Sequence, residues 1–265
     1  MAKEHRAGPP EIETGEETQA TRVQRSHARI AILIPALNEE ESIEFVLKAI
    51  PRGVASQVVV INNGSTDRTS DVAILSGAQV VLEPERGYGA ACLAGIRALA
   101  TDTDIVVFLD ADYSDFPEEL EILVRPILED RADFVIGTRM QNQPARAALT
   151  PQQRWGNLLA VRLMRYFWGS DYTDLGPFRA IRRSSLEMLS MSDRNYGWTV
   201  EMQIKAVMEG LRTIEVPVQY RVRIGRSKVS GTIKGVILAG WKILSTIFRY
   251  AWLTRSTRRS LKVSL

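Results

Sequence analysis

Between Ile30 and Thr138 the chain alternates short apolar runs with segments of helical period, and this alternation constrains the fold more than any other feature. The runs Ile30–Pro35, Val58–Ile61, Gln79–Leu82, Asp104–Leu109 and Asp133–Thr138 read as strands. Between the first two, Ile43, Val46, Leu47 and Ile50 recur at i, i+3, i+4 and i+7, one stripe of a helix. The Asn38-x-x-Glu41 spacing ahead of it predicts a capping box. Asn62-Asn63-Gly64-Ser65-Thr66-Asp67 is a turn able to open the next helix. A further helix is predicted over Tyr88–Ala100, and Pro117-Glu118-Glu119 places proline and carboxylates in the first turn of another that runs to about Leu128. Strand–helix alternation of this kind makes an α/β fold, a mostly parallel central sheet flanked by helices. Past Arg139 the order breaks down into a polar loop, a helix near Pro151–Trp168 and shorter elements through Tyr220.

The 265 residues, 45% of them hydrophobic, suffice for one sizeable core. Residues 1–28 are polar and charged and read as a disordered tail, 29–230 as the folded domain, and 231–265 as a basic end. The single cysteine, Cys92, forms no intrachain disulfide, and no secretory leader is evident, so a cytoplasmic location is expected. Both histidines, His5 and His27, fall in the tail. Histidine-based nucleophile systems and histidine-rich zinc sites are thereby excluded from the domain, leaving carboxylates, Lys, Arg, Tyr or a metal to carry chemistry.

Asp110-Ala111-Asp112 follows the apolar run Ile105–Leu109, at the carboxyl end of a buried strand, where open α/β sheets bind ligands. Two hard anionic side chains one residue apart suit a divalent cation, Mg²⁺ or Mn²⁺, that keeps open positions for phosphate oxygens. Metal-assisted handling of a nucleotide diphosphate is the function this points to.

The net charge of +3 hides an asymmetry: Arg221–Leu265 holds eleven Lys or Arg and no Asp or Glu, against 23 basic and 31 acidic residues upstream. Within 232–253, Lys234, Lys242 and Arg249 fall inside an arc of roughly 80° on a helix, opposite Val236, Ile237, Ile243, Leu244, Ile247 and Phe248. No uncharged run there approaches the roughly 20 residues that span a bilayer. Basic residues mixed with Trp241, Phe248, Tyr250 and Trp252 indicate an amphipathic helix lying in the membrane interface, with no nucleic-acid partner. The alternative is packing of this helix on the protein's own body or on a second copy, so self-association is left open.

Seven short motifs occur in one order: Pro35-Ala36-Leu37-Asn38-Glu39-Glu40, Asn63-Gly64-Ser65-Thr66-Asp67, Arg86-Gly87-Tyr88-Gly89, Asp110-Ala111-Asp112, Gly137-Thr138-Arg139, Asp174-Leu175-Gly176-Pro177-Phe178-Arg179, and Arg223-Ile224-Gly225-Arg226-Ser227-Lys228. In this the chain resembles the family 2 glycosyltransferases of GT-A fold, most closely the polyprenyl-phosphate sugar synthases of the dolichol-phosphate mannose type. The resemblance implies that Pro35, Asn38, Glu39, Asn63, Asp67 and Gly87 contact the nucleotide, that Asp110 and Asp112 hold the metal on its diphosphate, and that the donor is a nucleotide-diphosphate sugar. Asn62-Asn63, where the wider family commonly has two Asp, leaves a UDP-sugar only slightly preferred to a GDP-sugar. Ser114 stands where close relatives often carry Gln, so that water or Asp115 would complete the metal's shell. A polyprenyl phosphate would be the acceptor, with the protein peripheral on the inner face of the cell membrane.

Departure of a nucleoside diphosphate loads negative charge onto the leaving phosphate, which a bound cation stabilises. A phosphate acceptor is already anionic, since its second pKa is about 6, and needs no strong base. For a hydroxyl acceptor, Asp174 or Glu201 could serve as base. Single displacement would invert the anomeric centre. Arg139, Arg223, Arg226, Ser227 and Lys228 are the candidates for holding acceptor and leaving phosphates. Competing readings are a glycosyltransferase with a hydroxyl or soluble acceptor, an NAD(P)-dependent oxidoreductase, since Gly87-Tyr88-Gly89 with Asp110 beyond imitates a dinucleotide fingerprint, and a non-catalytic nucleotide- or lipid-binding scaffold.

Overall fold

A computed structural model of the protein describes residues 28–225 and 233–263. The expected polar tail and the Arg226-Ser227-Lys228 motif lie outside the described residues. The first half alternates as its sequence predicts: β1 Ile30–Ala36, α1 Ile43–Ala49, β2 Gln57–Asn62, α2 Thr69–Leu75, β3 Gln79–Leu82, α3 Tyr88–Arg97 and β4 Ile105–Phe108. A 3₁₀ turn at Pro117–Glu119 leads into α4 Leu120–Leu128, then β5 Phe134–Thr138, α5 Gln143–Ala148 and α6 Pro151–Trp168. β6 Arg179–Arg182, α7 Arg183–Leu189, α8 Trp198–Met208, β7 Thr213–Pro217 and α9 Ile233–Val263 complete the described elements.

The strands form one sheet in the order β3-β2-β1-β4-β6-β5-β7. β1 pairs in parallel with β2 and β4, setting Leu33 beside Val59 and Phe108. β2–β3 and β5–β7 are parallel too, while β6 runs antiparallel between β4 and β5. Strand side chains alternate between the two faces. Leu33, Ile61, Val106, Phe108 and Ile136 build one core with residues of α3, α6, α8 and α9, and Ile32, Ile34, Val60, Val107 and Val135 build the other with α1 and α4. β2 and β3 extend the sheet to one side of β1 and β4 to the other, so the chain switches direction between β1 and β4. A crevice opens at such a point beyond the strands' carboxyl ends.

Several local expectations change. The capping box ahead of α1 does not form: Asn38 takes a left-handed conformation (φ 53°), its Oδ1 accepts from Thr66 N at 2.7 Å, and Ser42 is the N-cap. α3 ends at Arg97 rather than Ala100, and α5 occupies part of the expected polar loop. The capping box that does form is at α6, where Thr150 and Gln153 satisfy each other's backbone N–H. β6, Arg-Ala-Ile-Arg, carries no apolar run and is a strand because β4 and β5 pair with both its edges.

The largest change concerns α9. Ile247 is fully buried and joins Tyr250 in the core with α6 and α8, and Lys242 turns inward to Asp193 at 2.8 Å. Part of the apolar stripe assigned to the membrane, Ile243 and Ile247, therefore faces the protein, because the body presents an apolar floor beneath it. The face left outside carries Ile237, Trp241, Phe248 and Trp252, spaced i, i+4, i+11 and i+15. Alongside, α6 exposes Trp155, Leu159 and Tyr166, spaced i, i+4 and i+11, and Phe167 on α6 meets Phe248 edge-on at 5.9 Å. Neither helix contains an Asp or Glu. Among the described residues no helix is long and apolar enough to cross a membrane.

Candidate active site

The crevice holds a cavity of about 440 Å³ lined by the ends of β1 and β4, the loop after β2 and the start of α3. Pro35, Asn38, Glu39, Asn63 and Gly87, expected at the nucleotide, Asp110 and Asp112, expected at the metal, and Arg223, expected at a phosphate, do line it. Ala36, Leu37, Arg86, Tyr88, Ala91, Ala111, Asn195 and Tyr196 line it as well.

Each side chain is held by a specific device. Asn63 donates to the carbonyls of Glu83 (3.1 Å) and Glu85 (2.7 Å) and accepts from Gly87 N (2.7 Å), fixing the loop that delivers α3. At Gly87 a Cβ would lie 2.1 Å from the Arg194 carbonyl, and at Gly89 2.0 Å from that of Asp193. These glycines thus admit the backbone of the 192–197 loop, and Ala90 N seals the contact on the Arg194 carbonyl at 2.9 Å. That close approach is the physical reason for a spacing that imitates a dinucleotide fingerprint.

Asp110 and Asp112 stand together at the end of β4. The Tyr88 hydroxyl donates to Asp110 Oδ1 at 3.1 Å. Burial, and then the neighbouring Asp112 carboxylate, push Asp110 up to about 7. Asp112 Oδ1 accepts from the backbone N (2.9 Å) and hydroxyl (2.5 Å) of Ser114, so the serine that departs from the expected Gln orients the carboxylate beside it. Asp112 Oδ2 meets Arg223 Nη1 at 3.0 Å, and Arg223 Nη2 donates to Glu39 Oε1 at 2.6 Å. Two carboxylates on one wall, one of them raised by the other, form a donor set that a divalent cation would relieve. No group of three or more His, Cys, Asp or Glu able to hold a metal occurs among the described residues. Among the described residues the pair Asp110 and Asp112 would suit Mg²⁺, which is commonly held by one or two carboxylates with substrate phosphates and water. Asp115 does not join them. It is buried beside the cavity, both its oxygens lack a hydrogen-bond partner, and burial with Asp110 and Asp112 nearby holds it well above the usual carboxylate range.

Four expected site residues are used otherwise. Asp67 does not line the cavity; it accepts from Thr69 N (3.0 Å) and Glu40 N (3.1 Å), tying the loop after β2 to the loop after β1. Arg139 and Asp174 lie together outside the lining, locked by a two-pronged ion pair with Nε–Oδ2 and Nη2–Oδ1 both 2.8 Å. Asp174 is fully buried, so it offers no free carboxylate as a base, and Arg139 no free fork to a phosphate. Burial alone would lower the Arg139 pKa, but the Asp174 carboxylate outweighs it and raises it. Glu201 is likewise engaged, by Asp193 N (2.7 Å), the Ser192 hydroxyl (2.7 Å), the Tyr250 hydroxyl (2.8 Å) and Lys205 (3.0 Å).

Tyr88 is a site residue that the sequence signals only through its place in Arg86-Gly87-Tyr88-Gly89. Asn195 and Tyr196 carry no such signal; they arrive from about a hundred residues downstream because α3 starts against their loop.

The family model described as Glycosyl transferase family 2 matches residues 31–189. An uncharacterized glycosyltransferase of Mycobacterium bovis is 39% identical over 221 residues, covering 82% of this chain and 98% of its own. A dolichyl-phosphate hexose transferase of Haloferax volcanii is 32% identical, covering 76% of this chain and 86% of its own, and an undecaprenyl-phosphate mannosyltransferase of Micrococcus luteus is 32% identical, covering 78% and 90%. Among solved structures, glucosyl-3-phosphoglycerate synthase from Mycobacterium tuberculosis in complex with UDP superposes with a TM-score of 0.69 at 25% identity, covering 91% of this chain and 86% of that one. The same enzyme with Mn²⁺, UDP-glucose and phosphoglyceric acid gives 0.69 at 24% identity, covering 90% and 85%. With this fold and the seven motifs in order, the chain belongs to glycosyl transferase family 2.

Proposed function

We propose that this glycosyltransferase moves a sugar from a nucleotide-diphosphate sugar, a UDP-sugar in preference to a GDP-sugar, to a polyprenyl phosphate at a membrane surface, inverting the anomeric centre. The observation that carries the lipid part is the outer face of α6 and α9, where Trp155, Tyr166, Trp241, Phe248 and Trp252 stand exposed among arginines with no acid on either helix. Large aromatics and cations on one face suit the headgroup region of an anionic bilayer. The two relatives named for dolichyl- and undecaprenyl-phosphate chemistry support the same acceptor class.

The nucleotide lies along Pro35, Asn38, Asn63 and Gly87, with its diphosphate toward Asp110 and Asp112. A divalent cation held by these two carboxylates supplies charge stabilisation to the leaving phosphate. Glucosyl-3-phosphoglycerate synthase, which shares this fold, holds Mn²⁺ with UDP-glucose in a solved structure, and this supports that assignment. Tyr88 and Ser114 hold Asp110 and Asp112 in place. Arg139 and Asp174 act as a pair that shapes the wall behind the site, since each satisfies the other. No free carboxylate from Asp174 or Glu201 faces the cavity, which suits an acceptor that is already an anion. Arg226, Ser227 and Lys228 follow Arg223 in sequence and are assigned to the acceptor phosphate. The protein then sits peripherally on the inner face of the cell membrane.

A phosphorylated small acceptor is the second reading, favoured by the likeness to the phosphoglycerate enzyme. Labelled UDP- and GDP-sugars with Mn²⁺ or Mg²⁺, offered polyprenyl phosphate in vesicles or phosphoglycerate in solution, separate the two. Label extracted into organic solvent is the expected result. Label appearing only in phosphoglycerate would overturn the lipid reading and leave the family assignment standing.

A further inference from the structure

Arg223 occupies the donor site in a way that phosphate binding alone does not explain. Its guanidinium bridges Asp112 (3.0 Å) and Glu39 (2.6 Å), which stand at the ends of β4 and β1 on opposite sides of the switch point. Both oxygens of Asp112 are thereby used, one by Ser114 and the other by Arg223. Arg223 Nε is buried with no hydrogen-bond partner, so the fork is only partly satisfied where it lies. Its segment is anchored on either side: the Arg221 guanidinium stacks 3.5 Å from the centre of the Tyr113 ring, and Ile224 N donates to the Asp112 carbonyl at 3.0 Å. Gly225, at φ 74°, ends the described part of the segment, with Arg226-Ser227-Lys228 next in sequence.

We propose that Arg223 is a counter-cation built into the donor site, bridging Asp112 and Glu39 until a metal–nucleotide complex takes Asp112 and the guanidinium passes to the diphosphate. The inference rests on the assignment of Asp112 as a metal ligand. A cation already seated on Asp112 makes metal alone a poor ligand, because the competent state is only fractionally populated. The nucleotide removes that handicap by giving the displaced guanidinium a new anionic partner. Metal and donor therefore enter together.

One measurement on the full chain tests this without sugar transfer: Mn²⁺ alone is titrated by the EPR signal of the free ion. Arg223→Ala is expected to bind it about tenfold more tightly than the native protein, the gain from emptying a site occupied nine-tenths of the time. Arg223→Lys, which keeps the charge and loses the fork, is expected to fall between. With saturating UDP the order reverses, and Arg223→Ala binds Mn²⁺ more weakly than the native protein. Unchanged or weaker binding of Mn²⁺ alone by Arg223→Ala overturns the proposal. Absence of Mn²⁺ uptake in every variant with UDP present removes the metal site and the proposal with it, whereas failure of the lipid acceptor assay leaves this measurement standing.

Discussion

Asp110 and Asp112 sit on one strand end in unequal surroundings. Asp112 has Ser114 and Arg223 to satisfy it, whereas burial and Asp112 itself disfavour charge on Asp110. Asp110→Asn is therefore expected to cost transfer about 10²-fold or more while leaving Tm unchanged or higher, since removing one of two facing carboxylates relieves repulsion; labelled-donor assays and thermal melts check both halves. Asp174 is predicted to behave in the opposite way. Asp174→Ala leaves the Arg139 guanidinium buried without its partner, a loss of about 3–5 kcal/mol in denaturant unfolding. A catalytic base at that position would instead give a stable, slow enzyme. At this scale the sequence shows Asp110 and Asp112 readily, because both follow an unmistakable strand. It does not show that Arg223 reaches Glu39, a partner 184 positions away. Nor does it show that Arg139 and Asp174, each in a recognisable motif, neutralise one another.

At the scale of elements, α9 has two faces with different work. Ile247→Ala should cost about 2–5 kcal/mol of stability, as deletion of a fully buried aliphatic side chain does. Trp241→Ala with Trp252→Ala, both on the outer face, is expected to leave Tm in place and to weaken cosedimentation with anionic vesicles by about tenfold, roughly 1.4 kcal/mol. Equal vesicle binding by that double variant would remove α9 from the proposed membrane contact. Helical period in the sequence revealed an amphipathic helix; it could not tell which stripe would be covered, because Ile243, Ile247 and the outer aromatics are all apolar. β6 illustrates the same limit: two arginines in four residues hide a strand that two neighbours impose.

For the whole molecule, the 192–197 loop links the outer helix to the donor cavity. Lys242 on α9 binds Asp193, Tyr250 on α9 binds Glu201, and the loop's carbonyls rest against Gly87 and Gly89 where the cavity wall begins. Burial would raise the Glu201 pKa, but donors from Asp193, Ser192, Tyr250 and Lys205 outweigh it and lower it. A depressed carboxylate stabilises the fold fully above its unfolded value near 4.5, and that contribution is lost as pH falls through the lower folded value. Melts from pH 7 down to pH 3 should therefore show a loss of stability below about pH 4.5 that is smaller in Glu201→Gln, which lacks the titrating group. Equal acid sensitivity in both proteins would place the titration elsewhere. By itself the sequence determined the mostly parallel α/β core and the family, and it pointed to the end of β4 as the proposed site, because these depend on local period, strand ends and motif order. The tertiary structure alone decided which charges meet, which face of α9 is covered and which downstream loop closes the cavity, because ion pairing and burial join residues that lie far apart along the chain.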